Sequence, residues 1–196
     1  MNFANEKKQA LLKIMDGDKS KKGSVDEEIR ELIDLINQND DYYTTSSCAG
    51  RIMLLSYGSS GKKHDVDWIL SSHSLVDFNM IKESLDVLPK ETVWFRMEPP
   101  ILHICAKNMD AAEVLLKAAN DAGFRRSCLL SFKKRIICEI MFPEKMDVPV
   151  SENNEMLVTD DYVKKLIEHA NSRLSESRKK LKKLEEMFSS LNQENK

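Results

Sequence analysis

The chain of 196 residues reads as a mixed helix-and-strand fold in a single domain, built from a repeated unit and closed by a long C-terminal helix. Three observations lead there. Helical and strand periodicities alternate along most of the length. Ser47-Cys48 recurs 80 residues later as Ser127-Cys128, each time after an amphipathic helix and ahead of an apolar strand, one holding Arg51-Ile52 and the other Arg135-Ile136. Only six glycines occur, and none forms a GxGxxG or GxxxxGKS/T turn, so neither a Rossmann crevice nor a P-loop is expected. The echo divides the domain 1–196 into halves near 24–90 and 91–170, with the last helix over about 160–191.

Each element has a local cause. Phe3, Leu11, Leu12 and Met15 have helical spacing, and Gly17 stops that helix; Lys19-Ser20-Lys21-Lys22-Gly23 is a basic loop. Ser24-Val25-Asp26-Glu27 reads as a capping box, in which the Ser hydroxyl and the Glu carboxylate each satisfy an orphan amide. Ile29, Leu32, Ile33 and Ile36 then mark the buried stripe of a helix. Strands are predicted at 43–46, 51–57 and 66–72, with a Gly- and Ser-rich loop over 58–63. A helix over 78–88 ends at Pro89, and strands at 92–97 and 101–106 flank Glu98-Pro99-Pro100. Asp110 to Ala122 is helical with Gly123 as its C-cap. Strands follow at 124–130 and 135–142, and Thr159 opens the final helix. There Leu174, Leu181, Leu184, Phe188 and Leu191 form an apolar stripe flanked by Arg178, Lys179, Lys180, Lys182 and Lys183. This pattern fits a helix packed on the body better than a coiled-coil seam or an RNA clamp.

Composition limits the function. With 41% hydrophobic and 32% charged residues the chain supports a core and a soluble surface, and no apolar run approaches the ~20 residues that span a bilayer. No signal-peptide core is seen at the start. Cys48, Cys105, Cys128 and Cys138 sit singly without CxxC spacing, which argues against zinc and against a disulfide framework and favours the reducing cytoplasm. The net charge of −2 gives no global basic field, so any nucleic acid is held by local patches.

The densest candidate site is Tyr42-Tyr43-Thr44-Thr45-Ser46-Ser47-Cys48-Ala49-Gly50-Arg51-Ile52. A strand needs only apolar alternation, whereas this run offers hydroxyls, small residues and a guanidinium fork suited to a carboxylate or phosphate. The plainer reading is a polar hairpin edge. Two further segments end hydrophobic strands on polar groups: Trp68-Ile69-Leu70-Ser71-Ser72-His73, and Trp94 through Glu98-Pro99-Pro100 to His103. Core packing is the favoured reading of Trp68. A structural histidine is as good a reading of His73 and His103 as a catalytic one, and His64 and His169 complete a scattered set without an HExxH motif.

Five blocks together carry a resemblance: Lys22-Gly23-Ser24-Val25-Asp26-Glu27, the run from Tyr43 to Ile52, Glu98-Pro99-Pro100-Ile101-Leu102-His103, Gly123-Phe124-Arg125-Arg126-Ser127 and Leu157-Val158-Thr159-Asp160-Asp161-Tyr162. In order and over 20–184, they resemble the signature blocks of the wybutosine-synthesising protein 3 family. Cys128 departs from the pattern, where glycine is expected after the Ser.

The resemblance implies an α+β fold in which a duplicated β/α unit forms a single barrel-like mixed sheet flanked by helices, unlike Rossmann methyltransferases. It implies a cytoplasmic, S-adenosylmethionine-dependent methyltransferase acting on the N4 ring nitrogen of the tricyclic wye base beside the anticodon of phenylalanine tRNA. No metal, no membrane and a monomer or weak homodimer are expected. On this reading Ser46, Ser47, Cys48, Arg51, Glu98 and Pro99 bind the methyl donor, and His73 or His103 orients the base or relays a proton. Arg51 is then a ligand contact whose removal leaves the thermal midpoint almost unchanged. Tyr42 or Tyr43 stacks a splayed base. Phosphates fall to Lys19, Lys21, Lys22, Lys62, Lys63, Arg125, Arg126, Lys133, Lys134 and Arg135. The competing classes are a non-catalytic RNA-binding module and a helical interaction protein using Leu174 to Leu191.

Overall fold

A computed structural model describes residues 2–15, 25–58 and 66–194. Gly17, the basic loop 19–23, Ser24 of the capping box, Lys62, Lys63 and His64 lie outside the described residues. In chain order the elements are α1 (Phe3–Met15), a 3-10 turn (Glu27–Ile29), α2 (Arg30–Gln38), β1 (Tyr42–Cys48), β2 (Arg51–Tyr57), β3 (Val66–Ser72) and α3 (Phe78–Ser84). They continue with β4 (Val93–Glu98), β5 (Ile101–Ala106), α4 (Met109–Ala122), β6 (Cys128–Ser131), β7 (Ile136–Met141), β8 (Met146–Glu152), β9 (Glu155–Met156) and α5 (Asp160–Glu194).

The chain divides into two units. The first comprises Met1–Ala49, Pro100–Pro143 and Ser177–Lys196, and carries an antiparallel sheet of order β1-β5-β7-β6. One face of this sheet is apolar because strand alternation sends Leu102, Ile104, Cys138 and Ile140 to the same side. Those side chains pack with Ile29, Leu32, Ile33 and Ile36, with Leu115 and Ala119 of α4, and with Leu181, Leu184 and Phe188. The apolar spacings read from the sequence thus face one core. Asn108 caps α4 by accepting from the Ala111 amide at 2.8 Å. Gly123 ends that helix with φ 104°, in the left-handed region where a side chain would be strained.

The second unit comprises Gly50–Pro99 and Glu144–Glu176, with the antiparallel sheet β3-β2-β4-β8-β9. Its core joins Ile52, Leu54, Val93, Phe95 and Met97 to Ile81 of α3 and to Val163, Leu166, Ala170 and Leu174. The predicted cap of the last helix is present: Thr159 Oγ1 accepts from the Tyr162 amide at 3.3 Å. The stripe on α5 is buried within the chain, with Leu174 in this core and Leu181, Leu184 and Phe188 in that of the first unit.

The expected single barrel-like mixed sheet is not what forms. Among the described residues there are two open sheets, edged by β1 and β6 and by β3 and β9, with every pairing antiparallel. The chain leaves the first sheet at Ala49-Gly50, where Gly50 has φ 81°. It returns at Pro99-Pro100, where neither residue has an amide proton to extend a ladder. Arg51 pairs with Glu98, and Cys48 with Ile101, so both ladders are interrupted at matching positions. The 80-residue echo falls on β1 and at the start of β6, the two edge strands of one sheet. The hairpin β8–β9 was not anticipated, because Pro149 lies inside β8. Phe124 lies in a turn rather than a strand, buried against Phe142 with ring centroids 6.5 Å apart. Among the described residues, no helix is long and apolar enough to cross a membrane.

Candidate functional site

The face of the first sheet opposite its core carries a polar ladder. Register aligns Ser46 on β1 with His103 on β5, His103 with Glu139 on β7, and Glu139 with Cys128 on β6. The alternation that buries Leu102, Ile104, Cys138 and Ile140 turns His103 and Glu139 the other way. A register shift between Thr44 and Ser46 adds a residue to β1, and Thr45 and Ser46 are both exposed there. Ser46 Oγ lies 2.6 Å from His103 Nδ1, and His103 Nε2 lies 2.8 Å from Glu139 Oε2. A carboxylate can only accept, so Nε2 carries a proton; in the neutral imidazole Nδ1 is then the acceptor and the Ser46 hydroxyl donates to it. Thr45 Oγ1 also donates to the His103 carbonyl at 3.2 Å. The result is a hydroxyl–imidazole–carboxylate chain on an open sheet face, able to take a proton at one end and spread the resulting charge to the other.

Helix α1 covers the neighbouring part of the same face. Phe3 packs on Tyr43 with centroids 5.3 Å apart, and Glu6, itself only 9% exposed, accepts from the Tyr43 hydroxyl at 3.3 Å and from Arg135 Nε at 3.0 Å. Tyr43 is 0% exposed, and burial drives its hydroxyl above the ordinary phenol range. Tyr42 is buried on the opposite side, where its hydroxyl donates to the Ala111 carbonyl at 2.9 Å. The structure therefore corrects the expectation that Tyr42 or Tyr43 stacks a base: neither ring has an open face.

In the second unit Arg51 is held on both sides. Its Nε and Nη2 donate to Glu98 Oε2 at 3.1 and 3.0 Å, and its guanidinium lies 4.7 Å from the centroid of the Trp68 ring. Trp68 is 44% exposed, which overturns the core-packing reading of that residue. His73 donates from Nδ1 to the Gly50 carbonyl at 3.0 Å. Ser47, Cys48 and Pro99 are half-buried at the ends of their segments.

The sequence model described as Methyltransferase TYW3 matches residues 5–190. The chain belongs to this family. A relative from Pyrococcus horikoshii, named tRNA(Phe) 7-((3-amino-3-carboxypropyl)-4-demethylwyosine(37)-N(4))-methyltransferase 1, is 36% identical over 192 residues, covering 97% of both chains. A human relative, named tRNA wybutosine-synthesizing protein 3 homolog, is 33% identical and covers 92% of this chain and 70% of its own. A solved structure of a Pyrococcus horikoshii protein superposes with a TM-score of 0.88 at 36% identity, over 95% of this chain and 96% of that one.

Within each unit of this TYW3 family member, pairing of strands brings two candidate residues together. Ser46 and His103 are brought together in one unit, and Arg51 and Glu98 in the other. Arg125, Arg126, Lys133 and Lys134 are exposed on either side of β6, whereas Arg135 is tied to Glu6. Lys21 and Lys22 lie outside the described residues. Sequence reasoning missed Glu139, although a carboxylate at an alternate position of Ile136-Ile137-Cys138-Glu139-Ile140 marks an outward site on an apolar strand. It also missed Glu6 and Phe132, for which no local pattern gave a signal.

Proposed function

We propose that this chain transfers a methyl group from S-adenosylmethionine to the N4 ring nitrogen of a wye-base precursor in phenylalanine tRNA, as a cytoplasmic tRNA methyltransferase. Family membership over residues 5–190 is the observation that carries this reading, and relatives named for this reaction span nearly the full chain. When bound, the donor supplies an electrophilic methyl group on a positively charged sulfur. Alignment of the attacking nitrogen with that methyl accounts for most of the acceleration such a displacement needs.

The residues of the second unit fit the donor's chemistry. Arg51 offers a guanidinium to a carboxylate, and Glu98, whose Oε1 is not used by Arg51, offers an acceptor to an ammonium. The half-exposed Trp68 ring offers a face to a purine or a cation. In the first unit, Ser46 is reassigned from donor binding to proton transfer. A ring nitrogen that gains a methyl and ends neutral must give up its hydrogen. Within the first unit the Ser46 hydroxyl can receive a proton while passing its own to His103 Nδ1, and the carboxylate of Glu139 then holds the imidazolium. His73, committed at Nδ1 to a backbone carbonyl, positions the Gly50 turn. Equilibrium binding of S-adenosylmethionine tests the proposal: saturable binding that Arg51→Ala weakens is expected, and no binding at all would reduce the chain to an RNA-binding module.

A further inference from the structure

Strand β6 stands out on the surface of the first unit. It has four residues at the end of the order β1-β5-β7-β6, so its outer edge carries no partner strand among the described residues. Leu129 turns into the core, and a register shift between Leu129 and Ser131 leaves Leu130 as the bulged residue, 56% exposed. Phe132, just beyond, is 66% exposed. An open edge beside two exposed apolar side chains is a liability unless charge guards it or a ligand uses it. Four cations flank it, Arg125 and Arg126 before the strand and Lys133 and Lys134 after it, and none forms an ion pair with a described residue. Elsewhere Lys107 is paired with Asp41, Lys117 with Asp121 and Arg135 with Glu6, whereas Lys90, Lys145 and Lys183 are exposed without an ion pair to a described residue, so it is the clustering of four such cations around one open edge that marks this surface.

We propose that the β6 edge and the β6–β7 turn bind unpaired RNA, with Phe132 as a stacking platform and Arg125, Arg126, Lys133 and Lys134 as phosphate contacts. An aromatic face accepts any base, and cations spaced around it track the backbone on either side of the stacked nucleotide. A second copy pairing antiparallel along β6 would bring Arg125 and Arg126 of one chain against Lys133 and Lys134 of the other, which like-charge repulsion opposes. This surface takes over the stacking role that the buried Tyr42 and Tyr43 cannot fill. The identity of the natural RNA rests on the proposed function; the chemistry of the surface does not.

The test uses the full chain with a short fluorescein-labelled single-stranded RNA and a blunt duplex of the same length. Phe132→Ala weakens single-strand binding about tenfold, as expected for losing roughly one stacked base, while Phe132→Tyr retains it and duplex binding barely changes. Replacing Lys133 and Lys134 by Gln lowers the slope of log affinity against log salt by about 0.7 per charge. The ring is exposed, so the thermal midpoint of each variant stays at the wild-type value. Unaltered single-strand affinity in Phe132→Ala overturns the proposal, as does a wild-type dimer in sedimentation that Phe132→Ala dissolves. Methyl transfer by the wild type is measured alongside: its absence would sink the proposed function while leaving the RNA result standing.

Discussion

Arg51→Ala separates ligand binding from stability, and its cost can be worked from the contacts. Two bonds to one Glu98 oxygen join side chains that are 30% and 38% exposed, so screening holds the pair to about 1 kcal/mol. The Trp68 ring 4.7 Å away adds about 0.5–1 kcal/mol. Removing both costs about 1.5–2 kcal/mol, and at roughly 2–4 °C per kcal/mol for a chain of this size the midpoint falls by about 3–8 °C. The sequence alone led us to expect almost no change, because Glu98 and Trp68 were not seen as its partners. Loss of a charge-assisted bond to the donor's carboxylate is worth about 1.5–3 kcal/mol, or about 10–150-fold in affinity. Titration calorimetry with S-adenosylmethionine and thermal unfolding read the two effects independently. A double-mutant cycle with Glu98→Ala should return a stability coupling near 1 kcal/mol. Undiminished donor affinity in Arg51→Ala, or a midpoint loss well beyond ~10 °C, would refute the assignment and make Arg51 a structural residue.

Three further outcomes follow from the geometry. Glu139→Gln removes the charge that holds the His103 imidazolium, so kcat falls about 10–100-fold with KM for tRNA unchanged, and Glu139→Asp recovers part of it, as steady-state methyl transfer would show. Glu6→Ala strips a shared acceptor from Tyr43 and Arg135 under α1, costs about 2 kcal/mol and lowers the thermal midpoint by about 6 °C. Alkaline stability also has a defined sign. Burial pushes the Cys138 thiol from 9.0 up to about 11 and the Tyr42 hydroxyl from 10.0 up to about 12. The folded state therefore keeps protons that the unfolded chain releases, so stability is complete below pH 9 and declines as pH rises through 11, by up to about 2–3 kcal/mol from Cys138. Urea unfolding across that range should show Cys138→Ala losing less than the wild type.

The sequence disclosed what depends on local pattern. The stripes Ile29-Leu32-Ile33-Ile36 and Leu181-Leu184-Phe188, the Gly123 cap and the Thr159 cap all came from spacing that the core then used. What depends on long-range partners stayed hidden. Tyr43 looked like an open ring because nothing near it in the chain announces Phe3 and Glu6. Trp68 looked like core because an indole is apolar, yet Arg51 gives it a surface role. The division into two sheets was written in Gly50 and Pro99-Pro100, but only the pairing of Cys48 with Ile101 and of Arg51 with Glu98 gives those residues that meaning. His103 was named among the candidates; the hydroxyl and carboxylate that make it a proton carrier lie 57 and 36 residues away in the chain.

The most direct measurement is mass spectrometry of tRNA nucleosides after incubating the purified protein with isotope-labelled S-adenosylmethionine and phenylalanine tRNA carrying the demethylated wye-base precursor. One labelled methyl on the ring nitrogen of that base is the predicted product, strongly reduced by His103→Gln. A precursor that emerges unlabelled, or labelled at another position, would contradict the account.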